Sequence, residues 1–257
     1  MSRMLLLDAG NTRVKWALAE RGAAPGDWLA TGAAARDGID ALGDAWRVAA
    51  ATVDVALLCN VAGEAMRAAL EGQLQRAFGP QAPALQLFRS SPEAGGLRNR
   101  YREPSQLGAD RFAAAIGARA RYPNEALIVA TCGTATTIDA VSPQGDFLGG
   151  MILPGLDMMA RALAAGTAQL PHIDARASGL APFADNTADA IASGCIAAQA
   201  GAIERAATAL TEAHGTARCI ISGGAGTIIA PHLSLSAVGI GNLVLIGLQV
   251  ILTEPKR

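Results

Sequence analysis

The sequence predicts an α/β protein built from two copies of one supersecondary unit. Three observations predict it. Leu5-Leu6-Leu7 runs into the small turn Asp8-Ala9-Gly10-Asn11-Thr12, and apolar residues then alternate at Val14, Trp16 and Leu18. That pattern reads as a buried strand, a glycine turn and a second strand. The design returns at Leu127-Ile128-Val129-Ala130-Thr131-Cys132-Gly133-Thr134-Ala135, where residues 136–141 form the departing strand. Segments with helical spacing fill the intervals, so strands and helices alternate. Setting Gly10 on Gly133 places Asp8 against Thr131 and Asn11 against Thr134. The echo puts one lobe in residues 1–118 and the other in 119–257. Hairpins with glycine turns also resemble one another without common origin.

The remaining elements follow in order. Residues 62–78 carry Met66, Leu70 and Leu74 at helical steps and stop at Gly79-Pro80. A second helix is expected over 105–122, after Pro104, with Ser105 as N-cap. The segment Ser142-Pro143-Gln144-Gly145-Asp146 reads as a turn before a third strand from Phe147. Asn186 or Thr187 caps a long helix that ends at His214 before Gly215. Gly194 and Gly201 inside it each cost about 1 kcal/mol relative to Ala. Close packing against another helix, in this chain or a second subunit, would account for them. Cys219-Ile220-Ile221-Ser222-Gly223-Gly224 is a short strand ending in glycines. It is either a tight turn or a place for a flat ring such as adenine. Residues 238–252 read as a core helix, too interrupted to span a bilayer.

With 257 residues the chain can bury a substantial core, and its net charge of −1 gives no sign of nucleic acid or an anionic membrane as partner. Its four cysteines make no C-x-x-C pair and no metal spacing with the three histidines, which fits buried thiols in a reducing cytoplasm. The N-terminus lacks the charged and long apolar regions of a signal peptide, so a cytoplasmic location is expected.

Two segments carry chemistry. In the first turn Gly10 permits close backbone approach, while Asn11, Thr12 and the backbone N–H groups offer donors to a phosphate. Lys15, one of only two lysines in the chain, supplies positive charge beside them. Asp8 repels phosphate but suits the Mg²⁺ that accompanies ATP. Asp, Gly and Asn are equally ordinary hairpin residues. Two such turns facing one cleft would hold ATP from both sides. The second segment, Tyr101 to Phe112, places Asp110 in the first turns of a helix, a position that the helix dipole alone favours. Gly108 and Ala109 keep its approach open, and Phe112 and Ile116 anchor the helix.

Five motifs, Asp8-x-Gly-Asn-Thr-x-x-Lys15, Gly108-Ala-Asp-Arg111, Gly133-Thr-Ala-Thr-Thr137, Gly149-Gly-x-Ile-x-Pro-Gly155 and Ser222-Gly-Gly, occur in this order and closely resemble the type III pantothenate kinases. The resemblance covers nearly the whole chain. It implies duplicated ribonuclease-H-like lobes of the actin-like ATPase kind with ATP in the cleft between them. It also implies a homodimer and phosphorylation of pantothenate to 4′-phosphopantothenate at the start of coenzyme A synthesis. By resemblance Asp8, Ala9, Gly10, Asn11, Thr12, Arg13, Val14 and Lys15 form the first phosphate loop, with Asp8 near Mg²⁺ and Thr134 also at the ATP phosphates. Asp110 matches the general base. Tyr101, Gly108, Ala109, Asp110 and Arg111 match the pantothenate site, completed by Thr187 across the subunit interface. Many members carry Asp where Thr131 stands, and there it holds a monovalent cation. Dependence on K⁺ or NH₄⁺ is therefore not carried over to this chain. The alternatives are another kinase of the same superfamily and a nucleotide-binding regulator or transcription accessory protein. The lack of a basic cluster speaks against direct DNA binding.

Overall fold

The computed structural model describes residues 2–174 and 181–254. Contacts divide the chain into two compact units, Met1–Pro123 with Asn242–Arg257, and Asn124–Gly241. In the first unit β1 (Arg3–Ala9), β2 (Arg13–Glu20) and β3 (Ala30–Ala35) pair antiparallel in sequence. The chain passes through α1 (Leu42–Ala49) to β4 (Val55–Asn60), parallel to β1, and through α2 (Glu64–Phe78) to β5 (Leu85–Leu87), parallel to β4. A short hairpin of β6 (Glu93–Ala94) and β7 (Leu97–Asn99) then leads to α3 (Ala109–Arg121).

The second unit repeats this plan. β8 (Leu127–Cys132), β9 (Ala135–Val141) and β10 (Asp146–Pro154) pair antiparallel. After α4 (Leu156–Gly166) and α5 (Thr187–His214), β11 (Arg218–Ser222) joins β8 in parallel. After α6 (Gly226–Ile229), β12 (Ala237–Gly239) joins β11 in parallel. The first sheet runs β3-β2-β1-β4-β5, and the strands of the second unit run β12-β11-β8-β9-β10. Counted within each unit these are one topology, the ribonuclease-H-like one, and the duplication read from the sequence is a duplication of fold. α7 (Leu243–Thr253) ends the described chain, and no described helix is long and apolar enough to cross a membrane.

Period-2 patterning places the chemistry. Leu5, Leu7 and Ala9 join the cluster that α1 and α2 cover through Trp46, Met66, Leu70 and Leu74. Met4, Leu6 and Asp8 therefore face the opposite side, where α3 contacts β4 and α7 contacts β1 and β4.

Three boundaries differ from the sequence expectation. The single cut at 118/119 gives way to a division in which α3 finishes in the first unit and α7 returns to it. The helix expected from Ser105 begins at Ala109, because the Glu103 carboxylate accepts the Ser105 N–H (3.4 Å) and hydroxyl (2.9 Å) and holds Pro104–Gln106 as a separate 3₁₀ turn. The helix expected from Val238 begins at Leu243, since Val238 lies in β12 and Asn242 turns the chain at φ +55°. Residues 64–78 and 187–214 fold as the expected helices, the latter capped by Asn186 and closed by Gly215 at φ +83°. Among the described residues a Cβ on Gly194 or Gly201 would meet nothing within 4 Å, so no described helix explains them.

α7 meets α3 backbone to backbone. A Cβ on Gly117 would collide with the carbonyl oxygen of Leu243, and one on Gly247 with that of Ala113. On α7 the fully buried Gln249 accepts from the Gly26 N–H (2.8 Å) and the Trp28 indole N–H (2.9 Å), and donates to the Ala24 carbonyl (3.1 Å). Gly247→Ala is expected to destabilise the protein by about 2–3 kcal/mol through overpacking. Gly72→Ala, on α2 where a Cβ meets nothing, gains about 0.5–1 kcal/mol. Urea denaturation midpoints measure both, and equal midpoints would refute the crossing constraint.

Candidate active site

The first turn is built on a row of side chains crossing the sheet. Asp8 lies opposite Lys15 on β2 and opposite Cys59 on β4. The Gly10 N–H donates to the Arg13 carbonyl (3.0 Å) and closes the turn, leaving Asn11, Thr12 and Arg13 exposed at its tip. Burial pushes the Asp8 carboxyl up to about 6; Lys15 opposes that shift and Asp110 adds to it. The same burial, with Asp8 and Asp110 nearby, raises the Cys59 thiol well above the ordinary thiol range. Cys59 is thus a neutral group beside both carboxylates. Its role was illegible in the sequence, where it reads only as a small buried thiol.

Asp110 sits in the first turn of α3. Its Oδ1 accepts the Arg111 N–H (2.9 Å), and a Cβ on Gly108 would come within 2.8 Å of that oxygen. Glycine at 108 therefore lets the carboxylate fold back over the helix start. Arg111 is 6% exposed, its Nη1 donates to the Tyr101 hydroxyl (2.8 Å), and its guanidinium carbon lies 5.7 Å from the Tyr101 ring centre. The expected pair Tyr101 and Arg111 is brought together as a buried cation held by an aromatic ring. Phe112 and Ile116 are fully buried, as their spacing predicts.

In the second unit Thr134 is exposed at the tip of the β8–β9 turn, where the Gly133 N–H donates to the Ala135 carbonyl (3.0 Å). Thr131 pairs with Thr137, so the place of the Asp8–Lys15 charge pair is taken by two hydroxyls. Gly155 donates its N–H to the Thr134 carbonyl (3.0 Å), and a Cβ there would strike the backbone of Gly133 and Thr134. Gly223, at φ +88°, approaches Cys132 so closely that a Cβ would strike its carbonyl. Close backbone approach thus accounts for these two late glycines, while Gly224 stays open. Thr187 begins α5, where the Asn186 side chain accepts the Asp189 N–H (3.0 Å). It lines a cavity of about 690 Å³ between α4 and α5 with Pro154, Met159, Leu163, Ile191 and Gly194.

Asp8 and Asp110 provide hard oxygen donors, and a carboxylate held as far up as Asp8 gains from a cation. Mg²⁺ needs only one or two protein carboxylates when phosphates complete its shell, so these residues fit it. Among the described residues no group of three or more His, Cys, Asp or Glu forms an independent metal cage. Because the folded pKa of Asp8 lies above its value of 3.8 in a free chain, its proton stabilises the fold at low pH, and that stability is lost as pH rises through about 6. Asp8→Asn is expected to raise the melting temperature of the ligand-free protein at pH 8, the gain shrinking between pH 6 and 4. A gain that does not depend on pH would show that the Asp8 carboxylate carries no such cost.

The sequence matches the profile of type III pantothenate kinases over residues 4–209. The type III pantothenate kinases of Janthinobacterium sp. (strain Marseille) and Herminiimonas arsenicoxydans are 53% and 54% identical to it, over 96% of this chain and 96% of each relative. Among solved structures, a Campylobacter jejuni protein described as a Baf family transcriptional activator superposes with TM-score 0.58 at 20% identity, over 96% of both chains. A Sinorhizobium meliloti protein described as a 2-dehydro-3-deoxygalactonokinase gives TM-score 0.55 at 14% identity, over 98% of this chain and 97% of the other. At those identities the two likenesses speak for the fold. The profile and the close relatives establish that the chain belongs to the type III pantothenate kinase family.

Proposed function

We propose that this chain transfers the γ-phosphoryl group of ATP to the primary alcohol of pantothenate, giving 4′-phosphopantothenate and ADP. The observation that carries the reading is the joining of Asp110 and Asp8 in one electrostatic cluster beside Lys15, with the buried Arg111 next in sequence. Arg111 N–H fixes Oδ1 of Asp110, and the second carboxylate oxygen takes the hydroxyl proton as the alcohol oxygen attacks phosphorus in line. The bond from phosphorus to the ADP oxygen breaks. Lys15 and the exposed turn residues Asn11, Thr12 and Arg13 offset the phosphate charge. Mg²⁺, held by Asp8 and the phosphates, supplies charge neutralisation when bound. Arg111, kept in place by Tyr101, pairs with the substrate carboxylate.

The hydroxyl pair Thr131–Thr137 supports a reaction that needs no monovalent cation, since neither side chain supplies the carboxylate charge that would hold one. A homodimer, with Thr187 reaching the neighbouring subunit's substrate site, is supported by the exposed Leu163 at the cavity, by exposed Met158 on the same helix and by Phe183, 95% exposed.

Coupled detection of ADP tests the activity. Release should require both pantothenate and Mg²⁺ and should differ by less than about twofold between K⁺, NH₄⁺ and a bulky organic cation, the range left when no carboxylate binds the ion. A strict K⁺ or NH₄⁺ requirement would overturn the cation reading. Asp110→Asn should lower kcat by about 10²–10⁴-fold, and a loss under tenfold removes Asp110 as base. Arg111→Ala should raise the pantothenate KM by about tenfold or more, with ATP little affected. An unchanged KM removes Arg111 from the substrate site.

A further inference from the structure

Alternation along β7 turns residue 99 inward, beside Leu97 at 1% exposure, where an apolar side chain is the ordinary choice. The residue there is Asn99, 7% exposed. A buried amide is informative because each unmade hydrogen bond is costly. Asn99 makes its bonds. Its Nδ2 donates to the Pro104 carbonyl (3.0 Å) and the Ser91 carbonyl (3.3 Å). Its Oδ1 accepts the Tyr101 backbone N–H (3.0 Å), and its own N–H donates to the Pro92 carbonyl (2.8 Å). One side chain thus ties the start of the loop 100–108 to its middle and fastens both to the segment that enters the hairpin. That loop presents Tyr101, whose hydroxyl receives the Arg111 guanidinium, and ends at Gly108, where Asp110 folds over the helix start.

We infer that Asn99 is a positioning residue of the substrate site, holding the Tyr101 backbone so that Tyr101 and Arg111 together meet the substrate carboxylate. The inference rests on the reading of Tyr101 and Arg111 as substrate contacts. An apolar residue at 99 would leave the Tyr101 N–H and the Pro104 carbonyl without these partners, and the loop would release Tyr101 from its place over Arg111.

A double-mutant cycle on the full chain tests it, with pantothenate affinity read by calorimetry and both KM values and kcat by ADP release. Asn99→Ala should weaken pantothenate by about tenfold or more, with the ATP KM within twofold. In a Tyr101→Ala background the same change should add less than about twofold, because the two residues act as one unit. Asn99→Ser, which removes less volume and keeps a hydroxyl, should fall between wild type and Asn99→Ala, and serves if the alanine variant does not fold. Pantothenate affinity within twofold of wild type in the folded variants overturns the inference. So does a loss additive with Tyr101→Ala, or one that raises the ATP KM equally, as general damage would. If Tyr101→Ala and Arg111→Ala themselves leave affinity unchanged, the underlying substrate reading falls instead, and Asn99 with it.

Discussion

The first unit depends on the contact between α3 and α7. Two helices approach so closely that glycines 117 and 247 face main-chain atoms of the other helix, with no side chain between. Such a contact has no slack, since interiors packed to crystal density resist even one added methyl group. It fixes the axis of α3, and with it the place of Asp110 and Arg111 at the N-terminal end. α7 also anchors, through Gln249, the loop that follows β2, the strand bearing Lys15. One apolar helix therefore bears on both the acid and the cation of the site. It is the C-terminal helix that does so, which is why a linear cut of the chain fails.

What the sequence disclosed and what it withheld divide along a physical line. The hairpins at Gly10 and Gly133 were legible because period-2 burial and turn chemistry are local. So was the long helix from Thr187 to His214, with Asn186 and Gly215 at its ends. The start of α3 was misplaced because two local devices compete: Ser105 is a good N-cap, yet the Glu103 carboxylate engages it first. The return of α7 could not be read, because nothing in an apolar helix names the surface it will meet. Cys59 and Asn99 were missed for a related reason. Their significance lies in the residue opposite them in a sheet or across a loop, and a single sequence carries no mark of that pairing.

The two copies of the fold have parted in chemistry while keeping topology. At equivalent places one hairpin holds Asp8 across from Lys15, and the other Thr131 across from Thr137. The charged version is costly, because burial opposes ionisation of Asp8 more strongly than Lys15 favours it. The neutral version avoids that cost and shapes its turn by backbone instead, with Gly155 and Gly223 pressed against main-chain carbonyls. A fold that retains a charge it would be more stable without is retaining it for something besides folding.

Arg111 extends the same argument. A guanidinium at 6% exposure has left most of its water behind, and a phenol hydroxyl and an aromatic face are among the groups that hold it. A planar guanidinium fork recognises a carboxylate in two bonds. Oδ1 of the neighbouring acid, Asp110, is turned back onto the Arg111 backbone N–H. In the proposed reaction the guanidinium meets the anionic substrate and the carboxylate takes the alcohol proton, a division of labour suited to an enzyme that binds an acid and activates its alcohol.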